Sequence, residues 1–390
     1  MSTSLLQLAY IVAAAIFGAL LPRIQVGSAS PTRTSQYLFA IALGVLPLVG
    51  LAYGLLFLVV QWSQSMFTPR LNLFRDHPLL WHAFGFFTAV AVFAISAAFS
   101  LEEGADASAL VPWTATLLLL AAVALYRILL TTALNSIQLG PTLYIVAIRG
   151  VRAIDGVYPL PFDPTAAPTG RAAPLPPTQV EVDWPHLGAI LQRIDVARLV
   201  RSAARSDCMV EFRVGIGQVV RQDRAFAAIH SNGPAALSPS EVVDSVVTGP
   251  ERSFDQDPAL AIRVLVDIAL RALSAAINDP TSAAQALDAI HVCLERLAAR
   301  DLDVASITGD QGHERLRLVL PSWDEYVALA FDELLVTGPP TLQVARRLVV
   351  VLGELADAVP SARRAPIKRR LERATRNLQQ AFPDEAQARP

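Results

Sequence analysis

Cysteine is nearly missing from these 390 residues, with Cys208 and Cys293 the two present. Their spacing makes neither a metal-binding nor a redox motif, and a disulfide framework is excluded; both are expected to behave as small buried hydrophobes in a reducing compartment. Lysine is scarcer still, one residue against thirty-one arginines, a bias that fits a GC-rich bacterial genome. Charged residues make up only 17% of the chain and the net charge is −2, so no domain-wide basic face exists and nucleic acid is not expected as a partner. The six histidines, His77, His82, His186, His230, His291 and His313, are scattered. None stands at ligand spacing from a carboxylate, so no metal is expected. No GxSxG, P-loop, CxxC or dinucleotide fingerprint occurs, and no nucleophile is paired with a base. The sequence therefore points away from an enzyme and calls for no cofactor.

Long apolar runs are what the chain has in abundance. Residues 5–22, 37–60, 83–100 and 110–133 are nearly uncharged and rich in Leu, Ala, Val and Phe. Each approaches the ~20 residues that a helix needs to cross a bilayer. The fold class expected is a four-helix transmembrane domain followed by a cytoplasmic α+β domain. A signal peptide is the competing reading of residues 1–22, but the stretch lacks a basic leading region. The loop "LEEGADAS" is acidic, whereas "QSMFTPRLNLFRDHP" carries Arg70 and Arg75, and Arg149 and Arg152 follow the fourth run. The positive-inside rule then puts both termini in the cytoplasm of a multi-pass protein of the bacterial inner membrane. Arg23 and Arg33, in the first loop, disagree with that orientation.

Four regions are expected: a transmembrane domain at 1–135, a juxtamembrane helix and linker at 136–178, a small β-rich subdomain at 179–235, and a helical domain at 236–390. Gly140 and Pro141 should kink or break the helix that continues from the fourth span. The Pro- and Ala-rich 156–178 reads as linker. "VEVDW", "GAILQRID", "CMVEFRV" and "RAFAAIH" read as short strands, "GIGQVV" as a glycine turn and "VARLVRSAARS" as a helix. From residue 238 onward helices dominate, with "RLRLVL" at 315–320 as a short strand and helices at 322–336, 340–358 and 361–380. "SPSE" and "SWDE" have the form of capping boxes, and Asp257–Pro258 and Asp279–Pro280 the form of a cap followed by a first-turn proline. The final helix is basic, which a solvated face explains better than lipid headgroups do.

The stretch "LVDIALRALSAAINDPTSAAQALD", 265–288, is apolar enough to be buried. Yet Arg263, Asp267 and Arg271 recur at i, i+4 and i+8 and so form one narrow helical stripe. Asn278 and Asp279 suit the corner before the next helix. Together these five residues are either a structural ion-pair network with a well-made corner, or a site for a small anion near a helix N-terminus.

Similarity to a known family enters at these residues. "FDQDPALAIRVLVDIALRALSAAINDPTSA", with its QDP, VDIA, RALS and INDP in order, resembles the signature of the bacterial membrane proteins grouped as domain of unknown function 2254. "SQSMFTPRLNLFRDHPLLWHAFGFF", "LNSIQLGPTLYIVA" and "VEFRVGIGQVVRQDRAFAAI" are similar to further segments of that family. The likeness covers most of 55–355. Ala275 and Ala276 replace the family's usual Pro and Gly, and Asp223 and Ala225 break its glycine pattern in the β segment. What the resemblance implies is a membrane location and this architecture. It brings no catalytic residues.

Gln61, Ser63, Gln64 and Ser65 cluster at the end of the second span beside Trp62. Polar groups at membrane depth line a wet pathway or sit buried in a bundle, whereas among headgroups they need no special role. On balance the expectation is an oligomeric channel- or transporter-like protein, a homo-oligomer in the lipid bilayer that passes an ion or small anion and is gated by its cytoplasmic domain. The alternative is a membrane-anchored sensor or scaffold without transport activity.

Overall fold

The computed structural model describes residues 3–66, 78–102, 106–165, 175–222, 224–233, 237–309, 312–337 and 341–384. Arg70, Arg75, His77, Asp223 and the centre of the Pro/Ala-rich stretch lie outside them, as do the side chains of Ser63, Gln64 and Ser65. The chain forms two compact units, Met1–Pro141 and Thr142–Pro390.

The first unit contains α1 (Thr3–Leu20), α2 (Pro31–Met66), α3 (Pro78–Phe99) and α4 (Leu110–Ile137). Each has a segment long and apolar enough to span a membrane: Leu5–Arg23, Pro31–Val59, Leu79–Phe99 and Leu110–Leu134. Helix α3 packs against the other three. Its many alanines, and Gly85, let neighbouring backbones come close. A Cβ on Gly85 would stand 2.8 Å from the Tyr10 ring, and one on Gly18 would stand 2.7 Å from the Phe93 carbonyl. Gly18 is thus a packing residue where α1 crosses α3. Ser96 closes the same contact by donating to the Ala15 carbonyl at 2.9 Å. The interior is apolar, built from residues such as Leu38, Phe87, Val90, Phe93 and Leu129. Outward-facing Leu8, Ile16, Leu43, Phe57, Leu117 and Leu120 are exposed, as lipid-facing side chains must be. The loop after α1 and the loop after α3 interlock: Ala29 and Ala107 exchange backbone hydrogen bonds at 2.8 and 3.0 Å. Arg23, Glu102 and Asp106 line one small cleft there, so one of the two arginines that run against the positive-inside pattern shares a surface with two acids.

Helix α5 (Leu139–Val157), which lies in the second unit from Thr142 onward, follows α4 after the single residue Gln138. The break expected around Gly140 and Pro141 thus falls just ahead of them, and both sit in the first turn of α5. Its face of Val146, Ala147, Gly150, Ala153 and Ile154 is buried. The β-rich part has two sheets. One runs β1-β5-β3-β8-β7, from β1 (Thr178–Asp183), β3 (Met209–Phe212), β5 (Ala225–His230), β7 (Ser306–Thr308) and β8 (Glu314–Arg317). The other runs β4-β2-β6, from β2 (Ala189–Ile194), β4 (Val219–Val220) and β6 (Val246–Gly249). Among the described residues only β3 and β8 are paired in parallel. Trp184, Leu191, Phe212, Phe226 and Leu316, with α6 (Val196–Arg205), fill one core between the sheets. The four strands and the helix read from sequence form where expected. Strands β4, β6 and β7 do not follow that reading: Val219–Val220, at the end of the expected glycine turn, pair with β2 as β4, and residues beyond 238 return to complete both sheets. These are short strands whose signal is pairing with distant partners rather than a local pattern.

The rest is helical: α7 (Pro239–Val243), α8 (Pro258–Ala272), α9 (Pro280–Ala298), α10 (Trp323–Thr337), α11 (Leu342–Ala358) and α12 (Arg364–Ala381). Ser322 and Glu325 form a reciprocal capping box, Ser322 N donating to Glu325 Oε2 at 2.7 Å and Glu325 N to Ser322 Oγ at 3.3 Å. At "SPSE" the Ser238 oxygen instead takes the Ser240 amide at 3.3 Å, as a helix of five residues allows. In the basic run, Arg363 donates to the Leu297 and Ala298 carbonyls at the end of α9, and Arg370 pairs with Asp332 and Asp324. Part of that charge is therefore spent on internal partners.

Candidate functional site

The helical signature is built as a joint. Gln256 uses its carboxamide like a strand neighbour, accepting from Ile194 N at 2.9 Å and donating to Ile194 O at 3.1 Å, which pins the start of α8 to β2. Asp257, 3% exposed, accepts the Leu260 amide as N-cap and receives Arg252 Nε and Nη2 at 2.7 and 2.8 Å. Gly217, at φ +83°, lies so close that a Cβ there would meet Asp257 Oδ2 at 2.6 Å. The QDP triplet thus fastens the β-rich part to the helices. Nearby, the buried hydroxyls of Tyr158 and Tyr326 bond to each other at 3.0 Å, and burial pushes the Tyr158 phenol up to about 12.

In the stripe on α8, Arg263 contacts Asp267 at 2.6 Å and also pairs with Glu333 of α10. The Glu333 hydrogen bond, against the cost of burial, holds the Arg263 guanidinium firmly charged. Buried Arg271 Nε makes no hydrogen bond among the described residues. At the corner, Asn278 adopts the left-handed conformation, φ +48°, which asparagine tolerates better than other side-chain-bearing residues. Asp279 caps α9, accepting Ser282 N at 3.0 Å and the Ser282 hydroxyl, and these bonds hold its carboxyl below the usual range. Four of the five residues are thus engaged in ion pairing or in building the corner, and the N-terminus of α9 is filled by its own aspartate. Gln61 is exposed on α2.

A different set of residues surrounds a cavity of about 320 Å³ at one end of the five-stranded sheet, lined by Asp207, Cys208, His230, Asn232, Glu314 and Arg315 among others. Helix α6 delivers the first of these. Its last turn closes with Cys208 N on Ala203 O at 3.0 Å and Asp207 N on Ala204 O at 3.4 Å, a Schellman turn that sets Asp207 at φ +43°. His230, 3% exposed, ends β5. Its Nδ1 lies 3.0 Å from the Pro176 carbonyl, which only accepts, so Nδ1 carries hydrogen. Its Nε2 lies 3.2 Å from Glu211 Oε2. Arg315, 7% exposed, gives Nη1 to Asp207 Oδ1 at 2.9 Å and to Cys208 O at 3.3 Å. Glu314 is held by Arg317 at 2.8 and 2.7 Å, and that bond lowers its pKa. Burial pushes the Cys208 thiol up to about 11. Among the described residues no three His, Cys, Asp or Glu converge as metal ligands.

The sequence gives little warning of this cavity. Its walls come from four separated stretches at 176, 207–209, 230–232 and 313–315. The local hint was His230 closing the otherwise apolar β5, whereas Arg315 stands among charged neighbours in β8 and gave no such signal.

Over residues 2–354 the chain matches the model of a family described as predicted membrane protein, DUF2254. The chain belongs to that family. It is also 27% identical over 377 residues to an uncharacterized protein of Mycobacterium bovis, covering 92% of this chain and 70% of that one. Two uncharacterized proteins of Mycobacterium tuberculosis match to the same extent. No solved structure matches. Family membership and the four apolar helices agree that this is a predicted membrane protein. The 256–281 signature that carries the resemblance coincides with the joint at Gln256–Asp257 and the corner at Asn278–Asp279.

Proposed function

We propose that the four apolar helices anchor this protein in the bacterial inner membrane, and that the second unit is a cytoplasmic receiver which binds a small polar ligand in the cavity at the end of the five-stranded sheet. The observation that carries this reading is the cavity itself, which sets the buried side chains of His230 and Arg315 around about 320 Å³. Ligand sites combine such concavity with a few fixed polar groups. In the first unit, by contrast, the buried polar side chains among the described residues are Thr34 and Ser108, as suits an anchor. Cytoplasmic placement is supported by the positive-inside pattern of the loops. The test is a thermal-shift screen of small polar metabolites on the full chain in detergent, run beside Asn232→Trp, which fills the cavity from an exposed wall position. A stabilising compound whose effect Asn232→Trp removes supports the reading. A screen with no such compound overturns it.

A second reading, an oligomeric channel gated by the second unit, is favoured by the exposure of Gln61 on α2. A pathway would then run between copies rather than through one bundle. Ion flux in liposomes that Gln61→Leu reduces supports it, and absence of flux with a confirmed oligomer removes it.

A further inference from the structure

We infer that the cavity receives a small oxyanion, a carboxylate or phosphate group, on the Nε–Nη2 edge of Arg315; this rests on reading the cavity as a ligand site. Four other arginines of this unit show how that edge is used. Arg252 presents Nε and Nη2 to Asp257, Arg296 to Asp155, Arg317 to Glu314 and Arg370 to Asp332, with every nitrogen–oxygen distance between 2.6 and 3.0 Å. Two parallel charge-assisted bonds to one oxyanion are the strong and geometrically selective mode for guanidinium. Arg315 is more deeply buried than any of these, yet among the described residues only its Nη1 is bonded. Its Nε and Nη2 make no hydrogen bond among the described residues, and they are not sealed off from solvent as Arg271 Nε is. Burying a guanidinium with its bidentate edge unused is costly. An oxyanion in the cavity supplies to Arg315 what the chain's own carboxylates supply to the other four.

The surrounding charges leave that role to Arg315. Glu314 is held by Arg317, and Glu211 faces His230. Asp207 lies on the Nη1 side with its side chain 92% exposed, so water weakens its repulsion of an incoming anion without removing it. Gly309 keeps the flank of the arginine clear, since a Cβ there would stand 3.2 Å from Arg315 Cγ. The volume suits a small metabolite and not a polymer.

Binding is measured by calorimetric titration of the full chain in detergent and phosphate-free buffer. The probes are inorganic phosphate, succinate and the uncharged succinamide. Wild type should bind phosphate or succinate and not succinamide, and which of the two anions binds tells a phosphate ligand from a carboxylate ligand. Arg315→Lys keeps the charge and loses the fork, and should weaken the anion at least tenfold. Asp207→Asn keeps a residue that tolerates the left-handed turn and an oxygen that can still accept from Arg315 Nη1, but removes the competing charge, so it should tighten the same anion several-fold while leaving the arginine itself in place. That second variant keeps the test sound should Arg315→Lys fold poorly. Anion affinity unmoved by Asp207→Asn, or no anion binding by wild type, overturns the inference. Succinamide binding that Asn232→Trp abolishes also overturns it, while leaving the cavity a ligand site.

Discussion

Gly150 offers a direct test of how closely α5 is docked in the second unit. A methyl group at this position would stand 2.7 Å from Ala261 Cβ on α8 and 3.1 Å from Cys293 Sγ on α9, where ordinary contacts begin at 3.4 Å. Neither neighbour is the far end of a flexible side chain, so Gly150→Ala must push helices apart. Overpacking of this kind costs about 1–3 kcal/mol. The better helix propensity of alanine returns about 0.8–1 kcal/mol. The net loss expected is about 0–2 kcal/mol, a fall in Tm of up to roughly 8 °C for a unit of this size. Ala261→Gly alone should cost a similar amount, about 1 kcal/mol from propensity and about 0.8 kcal/mol from the lost methyl. Combining the two moves one methyl across the interface, so the double variant should recover about 1–2 kcal/mol relative to the sum. Scanning calorimetry of the full chain in detergent measures all four proteins. A Tm raised by Gly150→Ala, or strictly additive losses, would refute the close docking of α5 on α8 and α9.

Asp257→Ala should destabilise by about 3 kcal/mol, about 1 kcal/mol from the lost cap of α8 and the remainder from stranding Arg252 beside the Gly217 turn, as read by urea unfolding. Arg363 donates to the Leu297 and Ala298 carbonyls and stacks over Phe162 at 4.4 Å. Because lysine can reproduce neither the fork nor the stacking, Arg363→Lys should cost about 1–3 kcal/mol and shift Trp323 fluorescence. Cys208 and Cys293 are buried with thiols pushed up to about 11 and about 12, so iodoacetamide at pH 8 should label neither before unfolding, as mass spectrometry would report. Asp155, Asp279 and Glu314 have folded-state pKa values below their unfolded ones, held there first by Arg296, Ser282 and Arg317 respectively. Their contribution is complete above the ordinary carboxylate range and is lost as pH falls through the depressed values. The second unit should therefore melt at lower temperature at pH 3 than at pH 6, and the drop should shrink in Asp155→Asn.

Local physics decided much of this protein. Four apolar runs could be read as membrane-crossing helices because length and lack of charge leave few other solutions. Asp257 and Asp279 could be read as caps because an acceptor before a first-turn proline satisfies amides within three residues. Membership in the DUF2254 family was likewise visible in the 256–281 signature. Tertiary structure alone decided the rest. It joined Gln256 to Ile194 across 62 positions, gave the stripe arginine Arg263 a partner in Glu333, and recruited β6 and β7 into sheets begun far earlier. It also gathered His230, Asp207 and Arg315 around one cavity, where the side-on edge of the arginine meets no partner among the described residues. Caps and spans depend on neighbours along the chain, which a sequence displays. A cavity depends on which distant strand ends meet, and no periodicity in the sequence encodes that.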